Sequence, residues 1–132
     1  MNQRTWLLLV TALIEIPTGL AFLCLPSFPT ELLLGVTLTE PAAIVIARLA
    51  GLAILVIGII CHLARNDQSM ATVVGMLIYN LGAAALLVYS GIALKLVGLL
   101  LWPAVVLHVV MAVWCMGCLR SRVSPALEVE ET

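Results

Sequence analysis

The sequence predicts an all-α membrane protein, a bundle of four transmembrane helices with the N- and C-termini both cytoplasmic, and three observations predict it. Of its 132 residues, 64% are hydrophobic and only 10% charged, whereas soluble domains carry roughly 25% charge. The apolar residues are gathered into four stretches long enough to cross a hydrocarbon core, which needs about 20 helical residues. The basic residues fall mostly between and beyond those stretches on one side: Arg4, Arg65, Arg120 and Arg122 against Lys95. Lys and Arg are retained on the cytoplasmic side, which sets the orientation.

The first span is predicted at 6–25. Arg4 ahead of an apolar run imitates a signal peptide, but Glu15 interrupts the run and no small-residue cleavage motif follows, so the segment reads as a retained helix. Pro26, Ser27, Phe28 and Pro29 break it, and residues 30–35 read as a short interfacial helical turn. Thr39, Glu40 and Pro41 open the second span at 42–63. Arg65, Asn66, Asp67, Gln68 and Ser69 form a tight polar loop, and the third span covers 70–89, ended by Ser90 and Gly91. Lys95 can extend its charge back toward the headgroups, and the fourth span follows at 96–119. The tail 120–132 carries Ser124, Pro125, Glu128, Glu130 and Glu131 and too little apolar surface to fold, so it reads as disordered. Trp102 and Tyr89 toward one boundary, with Trp6 and Trp114 toward the other, fit an aromatic belt.

With these residues committed to spanning and turning, no soluble catalytic domain is expected among them, and no basic patch interleaved with aromatics suggests nucleic acid. Function must therefore be sought among the polar residues inside the spans, namely Glu15, Arg48, His62, Asn80 and His108. His62 lies beside the polar loop and is cheap to place. A charged residue near the bilayer centre costs about 2.5 to 3.5 kcal/mol on insertion scales and usually faces the bundle interior. Glu15 and Arg48 differ in depth by roughly 6 Å at 1.5 Å per residue, and counting places Asn80 and His108 near the middle too. Each shares a helical face with small or polar residues: Thr11, Ala12, Thr18 and Gly19 with Glu15; Gly51 with Arg48; Ala83 and Ala84 with Asn80; Ala104 and Ala112 with His108. Small residues mark helix contacts in membranes. Pro17 and Pro103 add two expected breaks near this layer, leaving the carbonyls of Leu13 and Leu99 without donors. Two readings remain open. In one, Glu15 and Arg48 form a structural ion pair; in the other, Glu15, Arg48, Asn80 and His108 bind a small ligand or relay protons.

The four cysteines are scattered rather than spaced as a disulfide framework. Cys115 and Cys118 have the spacing of a dithiol redox motif, and Cys61, His62, Cys115 and Cys118 are metal-ligand types near one boundary. Cys61 and His62, however, are adjacent and point about 100° apart on a helix. Buried thiols are the plainer reading, and no metal or cofactor is predicted.

The order Glu15-Ile16-Pro17-x-Gly19 in the first span, Leu25-Pro26 closing it, Ala47-Arg48-x-x-Gly51 in the second and His108 in the fourth resembles the small four-helix DoxX-like membrane proteins of bacteria. That resemblance implies the four-helix fold and a bacterial inner membrane location more than an activity, members of the group being mostly uncharacterised or accessory membrane subunits. Four helices with a glutamate in the first also resemble small multidrug resistance transporters, in which that glutamate exchanges protons for a cationic substrate; Arg48 and His108 depart from that pattern. The expectation is thus a non-enzymatic accessory or small-ligand-binding component in the lipid bilayer, partnered by a larger membrane complex or a second copy. The alternatives are a proton-coupled transporter using Glu15 and a thiol oxidoreductase using Cys115 and Cys118.

Overall fold

A computed structural model describes residues 2–67 and 69–130, with side chains described as far as Ser121. All its regular structure, among these residues, is helical: α1 Gln3–Cys24, α2 Ser27–Leu34, α3 Pro41–Leu63 followed by a 3₁₀ turn Ala64–Asn66, α4 Ala71–Ile92 and α5 Leu101–Glu130. Four of these, α1, α3, α4 and α5, are long and apolar enough to cross a membrane. Twenty-two residues, the length of α1 and of α4, reach about 33 Å, the thickness of a hydrocarbon core. Leu13, Ile46 and Ile78 stand 76%, 66% and 67% exposed on their outer faces, an apolar surface that only lipid would cover without penalty. The disordered tail expected over 120–132 lies, from 122 onward, outside the residues with described side chains.

Local chemistry sets the helix ends. Asn2 caps α1, its side-chain oxygen accepting from the Thr5 amide at 2.9 Å. The interfacial helix is longer than the turn expected from sequence, and it stops at Gly35, which takes φ +72° with its N–H on the Glu31 carbonyl. Pro41 sits in the first turn of α3, where its missing N–H costs nothing.

The fourth span begins at Leu101 rather than at 96. Residues 96–100 are apolar enough to look helical, but they are held in another conformation. Lys95 is left-handed (φ 57°) beyond the end of α4, Gly98 packs on the backbone of Leu32 and Leu33, and the Leu100 amide donates to the Leu32 carbonyl at 2.8 Å. Backbone pairing with α2 therefore overrides hydropathy. This start also corrects the expectation for Pro103, which falls in the first turn of α5, so its ring removes no intrahelical bond. Pro17 lies within α1 as expected.

The helices pack as two pairs, α1 on α3 and α4 on α5. The first seam is built from glycine. A Cβ added to Gly51 would lie 2.7 Å from the Leu23 amide, one on Gly58 2.9 Å from the Ile16 amide, and one on Gly19 would collide with the backbone of Leu55. Small residues let backbones approach in lipid, where no hydrophobic force drives helices together. At the end holding Arg4, α1 is also tied to the end of α3: Arg4 Nη2 donates to the Ala64 carbonyl at 3.1 Å and Thr5 Oγ1 to the Arg65 carbonyl at 3.2 Å. Just inside that end, Leu7, Leu8, Ala12, Cys61, Val73, Met76, Met111, Cys115 and Cys118 form a continuous apolar core.

Candidate functional site

The half of the bundle toward α2 is hollow. An open cavity of about 530 Å³ lies between the helix pairs, with Pro29, Leu32 and Leu33 of α2 and Leu100 at its rim and Glu15, Tyr79 and His108 on its wall. Small side chains keep the space empty: Thr18 and Ala21 on α1, Ala83 on α4 and Ala104 on α5 all line it. Had these been leucines, the two pairs would have closed on each other as they do near the termini.

The polar groups on the wall are mutually ordered. Glu15 and Asn80 are buried, only 7% and 2% exposed. Tyr79 Oη donates to Glu15 Oε2 at 3.3 Å. Asn80 Nδ2 donates to the Met76 carbonyl at 2.7 Å, while its Oδ1 lies 2.9 Å from His108 Nδ1. The Tyr79 and His108 rings meet edge to face, centroids 5.7 Å apart at 81°, a favoured aromatic geometry. A second void of about 10 Å³, large enough only for a water, is bounded by Thr11, Glu15, Met76, Asn80, His108 and Met111. Ile14, Glu15, Leu107 and His108 line both spaces, so together they separate the cavity from the smaller void, with Glu15 and His108 as the polar members.

Of the four residues singled out in the spans, the fold gathers Glu15, Asn80 and His108 and leaves out Arg48. Arg48 is exposed on α3 and lines neither space. The cause is the glycine seam one turn away: where α1 and α3 backbones touch at Gly51, a guanidinium has no room between them. Arg48 lies about 10 Å below the start of α3, so its flexible stem can carry the charge toward the headgroups. The Glu15–Arg48 ion pair weighed from sequence is therefore not what meets the carboxylate; a tyrosine hydroxyl is.

Tyr79 went unnoticed in the sequence. A signal was present, because tyrosines favour membrane boundaries and this one stands at mid-span beside Asn80. Arg4 was read only as a topology charge, yet it is buried, and its Nε lacks a partner among the described residues.

The cysteines are placed elsewhere. Cys61, Cys115 and Cys118 are free and buried in the apolar core, Cys24 is exposed, and none lines the cavity. His62 points outward, away from the thiols, and among the described residues no group of His, Cys, Asp and Glu is arranged to hold a metal. No protein-family model, curated protein or solved structure matches the chain.

Proposed function

We propose that this protein is a non-enzymatic component of the bacterial inner membrane that binds a small apolar molecule between its helix pairs, acting alone, as a homodimer or as an accessory subunit of a larger membrane complex. The supporting observation is the cavity: ligand-sized, almost wholly apolar, and furnished at one point with Glu15, Tyr79 and His108. Its walls belong to spanning helices, so molecules dissolved in the bilayer are the natural supply. Arg4, Arg65 and Arg120 share one end of the bundle while Lys95 and Arg48 lie toward the other, an excess that supports cytoplasmic termini. A DoxX-like accessory role remains part of this proposal.

The test is native mass spectrometry of the full chain released from nanodiscs equilibrated with 4-octylphenol. One adduct per chain is expected, absent from Ala83→Trp, whose indole would occupy the space. Adducts equal in both proteins, or none in the wild type, would count against the proposal.

A second reading, proton-coupled transport, draws on the position of Glu15 between the two spaces. With Arg48 outside the cavity, the repulsion it would exert on a cationic substrate is reduced. Proton flux in proteoliposomes decides it: transport requires flux above protein-free liposomes that disappears in Glu15→Gln.

A further inference from the structure

The hydrogen bonds around the cavity dictate more than its size, because they fix where several protons on its polar wall must lie. Thr18 Oγ1 donates to the Ile14 carbonyl at 2.7 Å, and Tyr79 Oη donates to Glu15. The Asn80 amide is oriented by its neighbour: a nitrogen must face the Met76 carbonyl at 2.7 Å, since two oxygens there would repel. The Asn80 oxygen therefore faces His108 Nδ1 at 2.9 Å, and an oxygen acceptor requires a proton on that nitrogen. In a neutral imidazole a proton on Nδ1 leaves Nε2 with a lone pair. Nε2 has no partner among the described residues and is not fully buried, and the residue that carries it lines both spaces. Glu15 Oε1 is likewise unpartnered among the described residues, while Oε2 accepts from Tyr79.

Building on the ligand-binding reading above, we infer that the cavity selects molecules with an apolar body and a hydrogen-bond donor head, a hydroxyl or N–H, which His108 Nε2 accepts while Asn80 positions the ring. Heads that only accept, such as ethers and ketones, leave His108 facing another lone pair and are disfavoured. A donor head restores the pairing that a buried polar group loses when it leaves water. Recognition here is by proton donation rather than by charge, which separates hydroxyls and primary amines from quaternary ammonium groups.

Binding to the full chain in nanodiscs tests this with two matched pairs: 4-octylphenol against its methyl ether, and octylamine against octyltrimethylammonium. The donor member of each pair is expected to bind at least tenfold tighter, with the margin reduced severalfold in His108→Phe and less in Asn80→Leu, while ether binding changes little. Nitrogen-15 NMR of histidine-labelled wild type gives an arm that needs no variant to fold: the His108 proton should reside on Nδ1. A proton on Nε2, equal binding of phenol and ether, or preference for the quaternary ammonium overturns the inference. Equal binding leaves the ligand cavity standing, whereas absence of all four ligands from the wild type removes both.

Discussion

Tyr79 and Asn80 are neighbours in sequence and about 100° apart around α4, and that offset sends one to Glu15 on α1 and the other to His108 on α5. Two helices are thus referred to a third by adjacent side chains. Removing the hydroxyl in Tyr79→Phe leaves Glu15 without its donor; at 3.3 Å the bond is long, so the expected loss is about 1 kcal/mol, read as a lower melting temperature in detergent micelles. Lys95 offers the opposite case. A lysine at φ 57° holds a conformation that costs non-glycine residues about 1–2 kcal/mol, so Lys95→Gly should raise the melting temperature. At this scale the sequence was partly legible: Glu15, Asn80 and His108 stood out because polar groups are rare at their depth. Tyr79 did not, because its ring is as apolar as its neighbours and only its hydroxyl, at an unusual depth, carries the signal.

Elements are held together by glycine on one side and by larger side chains on the other. Between α1 and α3 the backbones touch at Gly19, Gly51 and Gly58, whereas a Cβ at Gly75 or Gly82 on α4 meets open space. Gly51→Leu should therefore destabilise by about 3 kcal/mol or more, because the colliding atoms are backbone and cannot rotate away. Gly82→Leu should leave the melting temperature nearly unchanged, and comparable losses in both would discredit the seam. Four spans could be read from hydropathy, since lipid demands long apolar helices. The start of α5 could not, because residues 96–100 are displaced from helix by Gly98 lying on the α2 backbone, a contact between segments nearly seventy residues apart in the chain that no local pattern reports. The same reasoning explains Arg48: its spacing to Glu15 was compatible with pairing, but how closely α1 and α3 approach is a property of both helices together.

Across the whole molecule, packing divides the bundle into a solid end and a hollow end. Leucines, methionines and three buried cysteines fill the half near Arg4, while Thr18, Ala21, Ala83 and Ala104 hold the other half open. Glu15 and His108 are the polar groups at the boundary that the cavity and the smaller void share. This division also separates the thiols from the cavity. Cys115→Ser buries a hydroxyl in an apolar site at a cost of about 1–3 kcal/mol, and it should lower the melting temperature while leaving 4-octylphenol affinity unchanged. The void itself is tested most directly by the melting temperature of Ala104→Trp in detergent micelles. An indole placed in a cavity of about 530 Å³ gains contacts and displaces nothing, so a temperature equal to or above that of the wild type is predicted. A fall of many degrees, the signature of overpacking, would mean that the space between the helix pairs is already filled.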